Sequence, residues 1–182
     1  MQVPYKIAGI NHRIIENGML DLSNEHQRDR FFTNVFASQS KGIYSFGYAT
    51  VAGEYYATRK NGQGAIELII CDALTGWHIK YYSTNVDGTR KEFISDGGNY
   101  DPRTQLWYTA VLEEGKPIYS PVYNHFAIEG LTVSVGWPVY NHEDKLEGVI
   151  SVHLLLGGFN KYLKSAVEAH QGTALIIEKD SH

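Results

Sequence analysis

Short apolar runs separated by turn residues fill most of the chain between positions 43 and 156. The first two runs flank the turn residues Ala52 and Gly53, and Asp87 followed by Gly88 marks a later turn. Connections this short join antiparallel strands, because parallel neighbours need long crossovers. We therefore predict five to seven mostly antiparallel strands, placed in the runs 43–48, 55–59, 65–73, 77–84, 118–123, 131–140 and 146–156.

Helical patterns lie on both sides of these strands. Residues 4–17 carry isoleucines at helical spacing, and Gly18 is a suitable helix end. Asn24 and Gln27 have the spacing of a capping box before a second apolar face, whose helix should end near residues 40–42. A third stripe at 159–167 precedes one more strand at 173–177. The fold class is therefore α+β, with N-terminal helices, a central antiparallel sheet and a C-terminal connector helix.

Composition and the lack of catalytic motifs narrow the function classes. The chain has 182 residues, enough for one ordinary domain, and its net charge of −4 argues against a nucleic-acid partner. Its single cysteine, Cys71, excludes an internal disulfide and a cysteine-rich zinc site. The acidic side chains next to His142 lie in a turn and point apart, so we expect no metal. We find no nucleophile or phosphate-binding motif, so we expect neither an enzyme nor a cofactor.

The segment 100–108 has the densest aromatic and polar content in the chain. It places Tyr100, Trp107 and Tyr108 beside Arg103 and Gln105, around a proline that favours a turn or a helix start. Aromatic side chains with polar tips suit the wall of a small-molecule pocket. They also suit the core of a β-rich domain, and these nine residues leave both interpretations open.

Taken together, several segments resemble the membrane-distal half of a double Cache domain, a class of extracytoplasmic sensor. The resemblance covers about residues 20–170 and is carried by the segments 100–103, 107–108, 120–123, 131–140 and 148–152. It implies a PAS-like fold with a ligand pocket on one side of the sheet. It further implies that residues 1–20 end an N-terminal signalling and dimerisation helix. Residues 21–157 would form the ligand-binding domain, and 158–182 a connector helix and the first strand of a truncated membrane-proximal module.

The resemblance also implies which residues bind the ligand. Tyr100, Trp107, Tyr108 and Tyr123 match the pattern of family members that bind amino acids. Two positions depart from that pattern, because Gln105 replaces an arginine and His153 replaces an aspartate.

Both departures remove a charge that would hold an amino acid at its carboxylate and ammonium groups. Losing two charged hydrogen bonds of about 1.5–3 kcal/mol each weakens binding by a few powers of ten. We therefore expect a neutral or singly charged ligand with a flat or apolar face, such as a nucleobase, an organic acid or an amine derivative, and not a plain α-amino acid.

Several single residues allow two interpretations. His153 contacts the ligand or is a core imidazole, and beside a carboxylate it would titrate near neutral pH. Arg103 is expected to brace its turn through a carboxylate or carbonyl group. His125 and Glu129 follow the Tyr123 strand and either cap a pocket or lie in a solvated loop.

The expected function is that of a sensor domain. It would bind a small molecule and relay the signal, as a homodimer, to a membrane-anchored histidine kinase, chemoreceptor or nucleotide cyclase. The alternative is a spacer or dimerisation domain of the same kind of receptor that binds no ligand.

Overall fold

Two helices open the structure, as the sequence predicts. The computed structural model describes residues 2–39, 42–125 and 130–157. Helix α1 spans Gln2–Glu16 and helix α2 spans Glu25–Gln39. The backbone N–H of Gln27 donates to Asn24 Oδ1 at 3.1 Å, which confirms the predicted start of α2. Among the described residues, no helix is long and apolar enough to cross a membrane.

A single antiparallel sheet forms the centre of the described structure and confirms the predicted α+β class. Its strand order is β5-β4-β3-β2-β1-β9-β8-β6, and β7 also pairs with β8. The strands are β1 (Ser45–Thr50), β2 (Tyr55–Lys60), β3 (Ile66–Cys71), β4 (His78–Thr84), β5 (Arg90–Asn99), β6 (Ile118–Tyr119), β7 (Tyr123–Asn124), β8 (Leu131–Tyr140) and β9 (Leu146–Leu155).

The prediction of the strands was wrong at two places. Strand β5 was not predicted, because its exposed edge position leaves no apolar alternation in its sequence. The run predicted as one strand at 118–123 is divided into the two-residue strands β6 and β7. The described sheet therefore has seven strands of six residues or more, within the predicted range, and these two short ones in addition.

The two faces of the sheet carry separate apolar clusters. Helices α1 and α2 cover one face, where Phe32, Phe46 and Ile150 are buried. A turn of 3-10 helix, Pro102–Thr104, and helix α3, Leu106–Glu114, cover the other face. We call this second face the α3 face. The alternation of side chains along each strand decides which residues point toward it.

Helix α3 approaches strand β8 closely because Gly136 has no side chain. A Cβ at this position would lie 2.3 Å from Val111 Cγ2 and 3.0 Å from the Trp107 carbonyl oxygen. The turn before α3 is held by Arg103, whose Nε and Nη2 donate to Asp101 at 2.9 and 2.8 Å. This confirms the bracing role predicted for Arg103. The predicted helix at 159–167 and strand at 173–177 lie outside the described residues.

Candidate functional site

A buried histidine is at the centre of the α3 face. His153 lies on β9 and is only 2% exposed. Its Nδ1 is 2.6 Å from Ser134 Oγ and 3.2 Å from Tyr123 Oη, and its Nε2 is 3.3 Å from Tyr55 Oη. Hydroxyl groups donate and accept, so they satisfy both nitrogens of a neutral imidazole. The histidine is therefore fixed in orientation by three hydroxyl groups.

Tyr55 reaches this histidine from two strands away because the strand between them carries a glycine. Gly47 on β1 pairs with Ala57 of β2 on one side and with Ser151 of β9 on the other. The Tyr55 hydroxyl is within 3.0 Å of the place where a Cβ of Gly47 would lie, and 3.5 Å from Ser151 Oγ. Because Gly47 has no side chain, the phenol of Tyr55 can lie across β1 and reach His153.

This close approach predicts a cost for the Gly47→Ala variant. Its new Cβ would lie 2.5 Å from the Ala57 Cβ and 3.0 Å from the Tyr56 carbonyl oxygen, so neighbouring atoms must move. We expect urea denaturation to show a loss of about 1–3 kcal/mol in the free energy of unfolding. The control is Gly62→Ala, because no neighbouring atom lies within 4 Å of the place that its new Cβ would occupy. Equal stabilities of the two variants would contradict this account of the crossing.

Aromatic rings enclose the histidine on the side of α3. The Trp107 ring centroid lies 5.5 Å from that of His153 and 6.0 Å from that of Tyr55. Tyr100 is 5.6 Å from Tyr55 by the same measure. Edge and tilted contacts at these distances are favourable for aromatic pairs. The structure therefore brings Tyr100, Trp107, Tyr123 and His153, four of the six predicted site residues, into one cluster.

A charged pair lies on the same face, two strands from the histidine. Ser45 of β1 pairs with His153 on one side and with Arg59 of β2 on the other. Arg59 Nη2 contacts Glu67 Oε2 at 2.8 Å. The His125 ring centroid lies 5.8 Å from that of His153, and the charge of Arg59 adds to the effect of burial in lowering the pKa of His125. The α3 face thus carries an uncharged polar group around His153 and, two strands away, the ion pair of Arg59 and Glu67.

Burial keeps the centre of this face uncharged. It lowers the pKa of His153 well below its usual value, and the neighbouring His125 lowers that pKa further. The pKa of His125 falls to about 4, through burial first and Arg59 second. Burial raises the pKa of Tyr123 to about 12 and that of Tyr55 further. His153 was expected to titrate near neutral pH if it lay beside a carboxylate. Its polar contacts are hydroxyl groups and it is buried, so that condition is not met.

The other two predicted site residues make contacts within the segment that carries α3. Gln105 precedes α3, and its amide donates to Thr104 Oγ1 at 3.3 Å. Tyr108 is buried against Trp107, with ring centroids 5.7 Å apart; burial raises its pKa, and the charge of Arg103 offsets part of that rise. A ligand role for these two residues stays a prediction. Glu129 lies outside the described residues.

Many of the polar residues around His153 were not predicted from the sequence. Tyr55, Arg59 and Glu67 alternate with other residues along β2 and β3, which is a local signal that they share a face. Ser134 carries no such signal, because only the register of β8 and β9 places it opposite His153. Ser151 lies two residues before His153 on β9, so alternation along the strand puts both on one face.

No protein-family model matches the sequence, and no curated protein does. Solved structures do match. The ligand-binding domain of the Campylobacter jejuni chemoreceptor Tlp3 in complex with 4-methylisoleucine shares 10% identity over 89% of this chain and 52% of that one, with a TM-score of 0.57. Its sensory domain in a second structure shares 13% identity over 87% and 54%, with a TM-score of 0.55.

A third structure is that of an extracellular ligand-binding receptor from Desulfohalobium retbaense. It shares 11% identity over 91% of this chain and 24% of that one, with a TM-score of 0.55. The present chain spans about half the length of the Tlp3 domains. Likeness at these identities shows a common fold, so the fold that the resemblance implies is confirmed.

Proposed function

We propose that this chain is the small-molecule-binding domain of a sensor, with its site on the α3 face. The observation that supports this most is the group of hydroxyls around His153, buried beside Trp107 and Tyr100. Replacing both partners of a buried hydrogen bond by apolar groups of the same shape is nearly neutral or stabilising, so packing alone does not require these polar groups. A selective pocket needs this combination of aromatic walls and a few oriented polar groups.

The ligand is proposed to be a neutral or singly charged molecule, and not a plain α-amino acid. The His153 imidazole is neutral, so it supplies no counter-charge for an ammonium group. Gln105 supplies no guanidinium for a carboxylate. One Tlp3 structure is a complex with 4-methylisoleucine, which is an argument for an amino-acid ligand. Amino acids therefore belong in every ligand screen as the competing class.

We further propose that the domain lies outside the cytoplasm in a membrane-anchored receptor and works as a homodimer. Helix α1 buries Ile7 and Ile15 against the sheet and exposes Val3 and Ile10, which are 54% and 59% accessible. An apolar outer stripe of this kind is suited to a second copy of the helix. Ligand binding then changes the output only as far as it favours one arrangement of the two helices over the other.

A thermal-shift screen tests the binding function. A compound that binds the folded chain raises its midpoint, because binding adds RT ln(1 + [L]/Kd) to the free energy of unfolding. We expect at least one neutral or singly charged compound to do so, and the Tyr55→Phe variant to lower its affinity by about tenfold. The matched control is Tyr56→Phe, the next residue of β2, which belongs to the opposite cluster.

Two results would contradict the proposal. If no compound raises the midpoint, the alternative of a spacer domain is favoured, since the hydroxyls and His153 already satisfy one another. If binding is lost equally in Tyr55→Phe and Tyr56→Phe, the site is not on the α3 face.

A further inference from the structure

The pair of Arg59 and Glu67 is arranged so that the carboxylate is fully occupied by protein donors. Nε and Nη2 of Arg59 lie 2.9 and 2.8 Å from Glu67 Oε2. Asn61 Nδ2 donates to the other oxygen, Oε1, at 2.9 Å. The side chain of Glu67 is 6% exposed. Both of its oxygens therefore already accept hydrogen bonds from protein groups, so Glu67 is poorly suited to bind the ammonium group of a ligand.

The guanidinium of Arg59 is held in place while keeping donor capacity. Its central carbon lies 3.8 Å from the centroid of the Tyr81 ring, a stacking contact that fixes the plane of the group. A guanidinium has five N–H donors, and Nε and Nη2 account for the contacts with Glu67. The Nη1 group lies outside those two contacts, and the hydrogen bond that Arg59 also makes with the Tyr44 side chain takes one further donor, so two of the five remain. At 15% side-chain exposure the group is within reach of a solute.

The guanidinium and the neutral centre around His153 belong to the same face of the sheet, because Ser45 of β1 pairs with Arg59 on one side and with His153 on the other. Arg59 hydrogen-bonds the Tyr44 side chain, whose ring centroid is 5.1 Å from that of His125, and the His125 centroid is 5.8 Å from that of His153. Two strand spacings of about 4.8 Å separate the backbones of Arg59 and His153.

Resting on the proposed sensor function, we propose that Arg59 is the anion-binding residue of the site and that the ligand is a small organic monocarboxylic acid. Its carboxylate lies at Nη1 of Arg59, beside Tyr44 and His125. Its uncharged body extends over Tyr55 and Trp107 toward the hydroxyl groups around His153. Charge-assisted hydrogen bonds to a fixed guanidinium are the strongest polar contacts that such a site offers. The neutral imidazole disfavours a second charge at the far end.

The test is a titration of matched probes. Benzoate and 3-phenylpropionate are each compared with the corresponding carboxamide and with benzylamine, and phenylalanine is included as the α-amino acid. The C4 to C8 aliphatic monocarboxylates and their amides complete the set. Binding is measured by calorimetry near neutral pH. We expect carboxylates to bind about 10- to 100-fold more tightly than their amides, with the amines and phenylalanine weaker still.

The variant for this test removes both charges together. Arg59→Gln with Glu67→Gln avoids leaving one buried charge without its partner. It should remove the preference for carboxylates over amides. The matched control is Arg90→Gln with Glu25→Gln, since Arg90 likewise contacts a glutamate and lies over a tyrosine, Tyr82, next to the opposite cluster. The control should keep the preference.

The outcomes separate this inference from the sensor function. Binding of amides, amines or phenylalanine with equal or greater affinity would overturn the assignment to monocarboxylates and leave the sensor function standing. The same follows if the Arg59 and Glu67 double variant keeps the wild-type preference. The sensor function itself fails if no probe of any class, and no compound of the thermal-shift screen, binds to the wild-type chain.

Discussion

Trp107→Ala is expected to lower the free energy of unfolding by about 3–5 kcal/mol. Trp107 is 2% exposed and contacts Tyr55, Tyr108 and His153 through its ring, so its loss leaves a large cavity beneath α3. Because α3 lies directly on the sheet at Gly136, the helix is already in contact and has little room to collapse. Urea denaturation at constant pH measures the change.

The control for this prediction is a second tryptophan. Trp77 is 44% exposed, and Trp77→Ala should cost less than about 1 kcal/mol. Similar losses for the two variants would mean that Trp107 is not the centre of the packing under α3.

Stability is expected to fall by about 3–4 kcal/mol as the pH is lowered from about 7 to about 5. His125 and His153 have folded-state pKa values below the ordinary value of 6.5, chiefly because both are buried. Below pH 6.5 the unfolded chain therefore binds protons that the folded chain does not. Each histidine then removes about 1.4 kcal/mol per pH unit, and this part of the stability is fully present only above pH 6.5.

Single variants isolate this effect from other titrating groups, including Asp29, whose pKa burial raises. His153→Gln and His125→Gln should each remove about half of the pH dependence, measured as the change in urea stability between about pH 7 and pH 5. A pH dependence that both variants leave unchanged would show that neither histidine is held neutral.

Most of the architecture was readable from local sequence. Helix α2 carries its own start signal, because the Asn24 side chain caps the backbone N–H of Gln27. The buried strands alternate or form apolar runs because they lie between two covered faces. Strand β5 is exposed along its length, so burial imposes no pattern on its sequence, and it was missed.

The candidate site could be predicted from the sequence only in part, for a different reason. Tyr100, Trp107, Tyr123 and His153 were found through the resemblance, and the structure brings their side chains together. Arg59 was missed because nothing in the segment 55–60 shows which residue of another strand it faces. Its place on the same face as the histidine, two strands away, follows from the pairing of β2, β1 and β9, a long-range register that no local pattern encodes.

The most direct test of ligand binding on the α3 face uses the three tryptophans of the chain as reporters. Trp107 lies beside His153, whereas Trp137 contacts Tyr5 of α1 and Trp77 is exposed. The measurement follows the indole N–H resonances of the 15N-labelled chain during titration with a compound that raises its thermal midpoint. The account predicts a saturable shift of the Trp107 resonance with the other two unchanged. A Trp107 resonance that stays in place while Trp137 or Trp77 moves would contradict it.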